Sequence, residues 1–276
     1  MADRIEKKRK FTQLMAAVLY NSNIKGFATG RIYKGSTKGV CVPGLNCYSC
    51  PGAVFSCPLG SLQGALAKSA YKLPLYVLGM LLLFGLILGR MICGFLCPFG
   101  LLQELLHKIP GPKIKKNRVT KALSYLKYVI LMVFVIGIPV IKLMPGFCKY
   151  ICPAGTVEAG IPLVLMDEHL KSSVGWLFSW KGFVAAVCVL LCWACYRAFC
   201  RFICPLGAIY GFFNPVSFWG IEADKEKCTG CNACIKMCKM DTEKVGDHEC
   251  IHCGACREVC PEGAIRYKTF KRPDSK

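Results

Sequence analysis

The sequence predicts a mainly α-helical protein in which about four short apolar helices precede a small α+β domain. The first observation is composition, because 54% of the 276 residues are hydrophobic and the mean hydropathy is +0.42, as in membrane proteins. The second is charge: residues 1–220 hold 25 Lys and Arg against 6 Asp and Glu, whereas residues 221–276 hold 11 against 10. The third is the 21 cysteines, which in so apolar a chain indicate cofactor binding rather than a secreted disulfide scaffold.

Four apolar stretches are the candidate membrane spans: Phe11–Ile24, Leu73–Gly89, Tyr128–Ile141 and Phe183–Tyr196. A helix needs about 20 residues to cross a hydrocarbon core of about 30 Å, so each stretch is short and its flanking polar residues must reach the interface. The first stretch is the weakest, because it contains Asn21 and Asn23. Arg90 and Lys142 each follow a stretch, and we expect them to snorkel toward the lipid headgroups.

The basic loops predict an orientation in the cell (inner, cytoplasmic) membrane as a multi-pass protein. The N-terminus and residues 107–121, which include six Lys and Arg, are expected in the cytoplasm, whereas the nearly neutral residues 144–171 are expected outside. Four spans then place residues 221–276 in the cytoplasm. Residues 31–72, with five Lys and Arg, fit an external position poorly. Because the basic residues lie beside apolar runs, we expect membrane lipid rather than nucleic acid as their partner.

Four Cys-Pro-x-Gly motifs mark a weak internal repeat. They begin at Cys57, Cys97, Cys152 and Cys204, and the last three have another cysteine four residues earlier. Each motif follows an apolar stretch, so residues 1–220 are expected to form a membrane domain of two halves, about 11–110 and 120–215. The proline fixes a turn instead of continuing a helix, which favours cofactor-binding loops over inert structural cysteines.

Residues 228–238 and 250–260 each read Cys-x2-Cys-x2-Cys-x3-Cys, the spacing of bacterial ferredoxins. In those proteins the fourth cysteine of one run ligates the other [4Fe–4S] cluster. Iron is thus expected on one set of Cys228, Cys231, Cys234 and Cys260, and on a second set of Cys250, Cys253, Cys256 and Cys238. Residues 221–276 are therefore predicted to be a ferredoxin-like α+β domain. One departure is that Lys239, not proline, follows Cys238.

The short spans, the Cys-x3-Cys-Pro loops and the terminal double-cluster domain together resemble the NapH-type membrane polyferredoxins, with NosR and the CcoG-type copper-site assembly reductases as relatives. Residues 93–98 and 200–205 match the paired loop motif of that family, and the resemblance covers most of residues 70–265. It implies electron transfer between a quinol pool or a cytoplasmic donor and a partner such as a soluble ferredoxin. The chain lacks the flavin-binding domain of NosR, and it adds Cys148 and Cys152 and an N-terminal set of Cys41, Cys47, Cys50 and Cys57.

The membrane domain is expected to hold up to two more [4Fe–4S] clusters, for a total of up to four. An inner cluster would take two thiolates from each half: Cys93, Cys97, Cys200 and Cys204. An outer cluster would draw on Cys47, Cys50, Cys57, Cys148 and Cys152. Alternatively, the N-terminal set holds a cluster alone, and Cys148 and Cys152 form a redox dithiol or a disulfide.

Cys188, Cys192 and Cys195 share one face of the last stretch, either as packing residues or as ligands of a site inside the membrane. Clusters on opposite faces of the membrane would lie about 30 Å apart. To exchange electrons quickly, they would need an intermediate redox site or cluster loops that extend into the membrane.

No catalytic residue is expected, because the chain has no Rossmann glycine pattern, P-loop, nucleophilic triad or haem attachment motif. We expect an electron-transfer subunit rather than a free-standing enzyme. A quinol dehydrogenase is an alternative, but it requires an ionisable group beside a quinone pocket, and no buried Asp, Glu or His is expected in the membrane domain. A metal-site assembly reductase or a cluster scaffold is the third hypothesis.

Overall fold

The computed structural model describes residues 2–68, 74–114, 116–172 and 174–268, and most of them are helical. The helices are α1 (Ala2–Tyr20), α2 (Ile24–Thr29), α3 (Pro58–Lys68), α4 (Leu75–Leu88), α5 (Met91–Phe95), α6 (Pro98–Lys108), α7 (Arg118–Lys142), α8 (Gly146–Tyr150), α9 (Gly155–Met166), α10 (Glu168–Ser172), α11 (Trp176–Ala194), α12 (Ala198–Phe202), α13 (Pro205–Phe213) and α14 (Ala233–Met237). The strands β1 (Gly220–Ala223) and β2 (Ile265–Lys268) pair antiparallel, with Ile221 opposite Tyr267. Single 3₁₀ turns occupy Ser36–Gly39 and Ala255–Arg257.

Two helices of the described residues, α7 and α11, are long and apolar enough to cross a membrane. The apolar helices α4 and α9 are shorter, so the predicted count of four spans is not confirmed. The predicted stretch Phe11–Ile24 falls mostly in α1, which ends at Tyr20 and is not one of the two. Leu73, the first residue of the second predicted stretch, lies outside the described residues.

The helices α7 and α9 each contain a π-helical stretch, Leu131–Gly137 and Gly155–Gly160. Proline follows each stretch two residues later, at Pro139 and Pro162. Proline has no N–H to donate and its ring crowds the carbonyl of the preceding turn, so the helix widens before it. The chain thus bends beside the cysteine loops that these two helices adjoin.

The Cys-x3-Cys-Pro loops share one local structure. The first cysteine lies in a one-turn helix (α5, α8 or α12), and the second precedes the next helix. Pro98 and Pro205 occupy the first turn of α6 and α13, where a missing N–H costs nothing and the fixed φ suits the helix. All of these loops pack into one continuous apolar core that runs through both halves.

Candidate iron–sulfur sites

The structure brings together Cys93, Cys97, Cys200 and Cys204, two from each half, and we name this set the inner quartet. All four side chains are buried. Burial raises the pKa of the Cys97 and Cys204 thiols, and the neighbouring thiolates at Cys200 and Cys93 raise it further. Loops that are about 100 residues apart in the chain therefore converge on one sulfur-lined site.

The Cys-Pro-x-Gly motif places the first turn of a helix beside each sulfur. Cys97 and Cys204 are the N-cap residues of α6 and α13, and neither makes a side-chain cap hydrogen bond. The glycine N–H three residues after the cysteine lowers the pKa of its thiol at four pairs: Cys57–Gly60, Cys97–Gly100, Cys152–Gly155 and Cys204–Gly207. A helix N-terminus is a position that favours a thiolate. Glycine is required at two of these pairs, because a Cβ at Gly100 or Gly207 would lie 2.9 or 3.0 Å from the carbonyl oxygen of Cys93 or Cys200.

Two buried arginines link the halves reciprocally at the inner quartet. Arg197 donates to the carbonyl of Cys93 at 2.5 Å, and Arg90 donates to the carbonyl of Cys200 at 3.1 Å. The expectation that Arg90 snorkels is wrong: its side chain is fully buried and paired with Glu249 at 2.5 Å. The Arg90 guanidinium can stay in the interior because a carboxylate pairs with its charge and backbone carbonyls accept from both of its Nη atoms, although its Nε has no partner.

Glu104 is the buried anion of this region. Its carboxylate accepts from Arg9 at 2.6 and 2.8 Å, from Arg197 Nε at 2.9 Å and from the Tyr196 hydroxyl at 2.7 Å, and Arg197 Nη2 forms an ion pair with it at 2.6 Å. Burial alone would raise the pKa of Glu104, but Arg197 and Arg9 overcome it and hold the pKa at about 2. Because Arg9 also donates to the Gly94 carbonyl at 3.0 Å, helix α1 is fastened to the first inner loop.

Two glutamines that the sequence analysis missed contact cysteine sulfurs. Gln103 Nε2 donates to Cys200 Sγ at 3.1 Å, and Gln63 Nε2 donates to Cys148 Sγ at 3.3 Å. Gln103 Oε1 accepts the N–H of Cys200, and Gln63 Oε1 accepts the N–H of Phe147, the residue before Cys148. Each glutamine follows a motif cysteine by six residues, and this shared offset is the signal that could have revealed them.

Cys47, Cys57, Cys148 and Cys152 also lie together, and we name this set the outer quartet. Burial raises the pKa of Cys148 to about 12, with a further increase from Cys57 and Cys47. The pKa of Cys47 is raised by burial and then by Cys152. All four line a cavity of about 310 Å³, which Lys149 and Lys181 also border.

The other two N-terminal cysteines lie apart from the outer quartet. The Cys50 thiol accepts from the N–H groups of Gly52 and Ala53, and Cys41 Sγ donates to the Ser61 hydroxyl at 3.4 Å. All 21 cysteines are among the described residues and all are free, so Cys148 and Cys152 form no disulfide here.

In the C-terminal domain, Cys238 joins Cys250, Cys253 and Cys256. Burial raises the pKa of Cys256 to about 12, and its neighbours Cys250, Cys253 and Cys238 add to the shift. These four thiols border a cavity of about 190 Å³. In the other predicted C-terminal set, Cys234 lies near Cys228 and Cys231, both of which are exposed. The fourth member, Cys260, accepts the Ala264 N–H on its Sγ at 3.3 Å.

Comparison with known proteins indicates iron–sulfur binding. A family model described as a 4Fe-4S binding domain matches residues 73–117, 128–161 and 176–221, and a second of the same description matches residues 245–266. Two uncharacterized proteins of Methanocaldococcus jannaschii, MJ0749 and MJ0750, are 28% and 27% identical; the alignments cover 69% and 78% of this chain and 69% and 88% of theirs. The ferredoxin-type protein NapH of Escherichia coli is 24% identical over 68% of this chain and 64% of its own.

This chain belongs to the NapH/NosR-like family of 4Fe–4S polyferredoxins. The polyferredoxin therefore carries [4Fe–4S] clusters. No solved structure matches it significantly.

The thiol sets of the polyferredoxin suit such a cluster. In the described residues, no three His, Cys, Asp or Glu side chains converge closely enough to hold one metal ion. Sulfurs around a single zinc would lie about 3.8 Å apart, given a Zn–S bond of about 2.3 Å. A cubane instead spreads four thiolates over four irons, so it fits thiols that are neighbours without touching.

The C-terminal domain of the polyferredoxin docks directly on the inner loops. A Cβ at Gly94 would overlap the Ile251 carbonyl oxygen, so these two backbones are in contact. Glu249 pairs with both Arg90 and Lys127, and Lys127 is fully buried. The second C-terminal thiol set and the inner quartet are thereby held side by side.

Proposed function

We propose that this polyferredoxin is a membrane-embedded carrier that moves single electrons between a cytoplasmic donor and a second redox partner, across part or all of the membrane. Four sets of cysteines would hold four [4Fe–4S] clusters: Cys228, Cys231, Cys234 and Cys260; Cys238, Cys250, Cys253 and Cys256; the inner quartet; and the outer quartet. Each bound cluster takes up and releases one electron without bond chemistry from side chains. The observation that carries the proposal is that these sets are consecutive neighbours.

Each step in the series has a contact that supports it. Cys228 and Cys231 are exposed, so the first set is accessible to a soluble donor. Cys234 of the first set lies within electrostatic reach of Cys256 in the second. Ile251, which follows Cys250 in the second set, lies against the loop of the inner quartet. Electrons that enter at the exposed end therefore have a continuous succession of cysteine sites.

The membrane position is part of the proposal. Only 22% and 17% of the most apolar windows of α7 and α11 are buried, a pattern that suits lipid contact better than a soluble core. The short helix α4 carries exposed Leu82, Leu83 and Leu86, which would extend this apolar surface. Residues 1–220 would then be the membrane domain, and the basic residues 107–121 would keep residues 221–276 on the cytoplasmic side.

The donor is proposed to be an acidic soluble protein such as a ferredoxin. Lys225, Lys227 and Lys236 lie within a few residues of the exposed Cys228 and Cys231 in the chain. Complementary charge speeds the encounter of two redox proteins, and the rate then falls with ionic strength.

Quinol oxidation is the second candidate function, because the expectation from the sequence that argued against it does not hold. The expectation that no Asp, Glu or His is buried in residues 1–220 is wrong, since Glu104 is buried. The cavity of about 190 Å³ borders Glu104 and His107 on one side and Cys253 on the other, and apolar side chains line much of it. Reduction of the iron–sulfur signals on addition of menaquinol would favour this candidate.

The deciding experiment is iron and sulfide analysis with EPR on protein purified without oxygen. About 16 irons per chain correspond to four cubanes, and about 8 would limit the redox chemistry to the C-terminal domain. Cys93→Ser and Cys57→Ser should each remove one cluster, the inner and the outer respectively. Cys50→Ser is the matched control and should retain all irons, because the Cys50 thiol faces the backbone of Gly52 and Ala53.

A further inference from the structure

The segment 43–47 enters the protein interior between the two quartets. Pro43, Gly44, Leu45 and Asn46 are all buried, although the segment lies in a loop that the sequence places outside the membrane. A buried loop must satisfy its backbone polar groups inside the protein. The partners of those groups show what the segment connects.

The ends of the segment are pinned by side chains from other helices. The hydroxyl of the buried Tyr210 in α13 donates to the Pro43 carbonyl at 2.9 Å, and the Cys47 N–H donates to Glu158 at 2.9 Å. Between them, a Cβ at Gly44 would lie 3.1 Å from Cys97 Cα and 3.2 Å from the Leu96 carbonyl oxygen. Glycine thus permits the segment to lie directly against the inner loop.

The segment meets both quartets within four residues. Gly44 packs against the backbone of Cys97 in the inner quartet, and Cys47, three residues later, belongs to the outer quartet. A short run of peptide units therefore joins the inner loop to a cysteine of the outer quartet. The two quartets are neighbours, not sites on opposite surfaces of the bilayer.

We propose that residues 43–47 form a peptide bridge through which single electrons pass between the inner and outer quartets. This inference rests on the proposed function, because it requires that both quartets hold clusters. The transfer balances simply: one electron leaves one cluster and reaches the other, no bond breaks, and no proton moves. Contact of the segment with Cys97 at one end, and its covalent continuity with Cys47 at the other, give the electron a path with no gap through empty space.

A rival path runs through the helix α11. Gln103 Nε2 donates to Cys200 Sγ at 3.1 Å, Cys192 Sγ donates to Gln103 Oε1 at 3.6 Å, and the thiols of Cys192 and Cys188 are hydrogen-bonded. This path crosses three side chains and has no hydrogen bond to the outer quartet among the described contacts. Because electron tunnelling weakens steeply with distance, the covalent run from the Gly44 contact with Cys97 to Cys47 is the better conductor.

The first test measures magnetic coupling between the inner and outer clusters. Protein that contains about 16 irons is fully reduced, and its EPR spectrum is compared with spectra of Cys93→Ser and Cys57→Ser, each of which lacks one quartet. Strong magnetic coupling between the inner and outer clusters, lost in either variant, is the expected result. Four loaded clusters without such coupling would overturn the bridge and leave the proposed function intact, whereas 8 irons would defeat the proposed function itself.

The second test measures electron equilibration between the quartets after flash photoreduction. Asn46→Pro restricts the backbone of the buried segment at residues 45 and 46, and Gly44→Val forces the segment away from Cys97, so each should slow transfer at least severalfold with the irons retained. Gly79→Ala, where a Cβ meets nothing within 4 Å, is the control. A slower rate in Cys192→Ala, with unchanged rates in both bridge variants, would assign the path to α11 and refute the bridge.

Discussion

Replacing Glu104 with glutamine should destabilise the protein strongly, because it removes the counter-charge of two buried arginines. Glu104 and Arg9 are each 3% exposed and Arg197 is fully buried, so neither guanidinium can turn to water when the carboxylate is lost. Breaking a buried ion pair at one partner typically costs about 3–5 kcal/mol. The glutamine keeps the shape and one carbonyl acceptor, which confines the effect to charge.

The pKa of Glu104 gives a second measure of the same interaction. The pKa is about 2 in the folded protein against an ordinary value of 4.5. A depression of this size corresponds to about 3 kcal/mol of stabilisation. Since the folded pKa is the lower one, this contribution is complete above pH 4.5 and is lost as the pH falls toward 2. The two estimates agree within their precision.

The assay is guanidinium unfolding in detergent under anaerobic conditions, followed by the visible iron–sulfur absorbance. The matched control is Glu168→Gln, which breaks an exposed pair with Lys171 and should cost at most about 1 kcal/mol. Glu104→Gln should also release iron from the inner quartet first, because Arg9 and Arg197 hold the carbonyls of its loop. Equal stability of the two variants at pH 7 would refute the reasoning.

Three further outcomes are expected. Gly94→Ala should weaken docking of the C-terminal domain by about 1–3 kcal/mol, because its Cβ meets the Ile251 carbonyl; faster amide exchange at residues 248–252 than in Gly79→Ala would show it. Gln63→Leu should lower the reduction potential of the outer site, since Cys148 loses its side-chain hydrogen bond, and redox titration by EPR should detect no such change at the C-terminal clusters. Reduction of the exposed first cluster by an acidic ferredoxin should slow as salt is raised, and a rate independent of ionic strength would contradict the proposed donor.

The sequence located the cysteine motifs better than their surroundings. The repeat at Cys93 and Cys200 and the spacing of Cys250 to Cys256 indicated thiols that the structure brings together, because a local motif and its duplication fix those positions. Which thiols ligate a cluster stays a prediction. Hydropathy could not show that Arg90 is buried, because its partner Glu249 is about 160 residues further along the chain. Hydropathy also could not establish the number of membrane spans, because it measures the composition of a stretch and not the length of the helix that forms there.

The N-terminal cysteines show the same limit. A regular motif marked Cys57, but nothing in the spacing separates Cys47, which joins the outer quartet, from Cys50, which bonds to its own turn. The difference depends on where the segment 43–47 is anchored, and Tyr210 and Glu158 set that from the other half. A local sequence pattern cannot predict contacts between residues so far apart in the chain.

The interlocking of the halves has a consequence for biogenesis. Each quartet draws two thiols from residues before Gly111 and two from residues after Asn117, and each inner loop is held by an arginine of the opposite half. During synthesis, the first half therefore emerges with only half of each ligand shell. Iron–sulfur insertion at the outer quartet must wait until Cys152 has been made, and at the inner quartet until Cys204 has been made. The C-terminal pair contains its full complement of cysteines in one short stretch and can be filled independently.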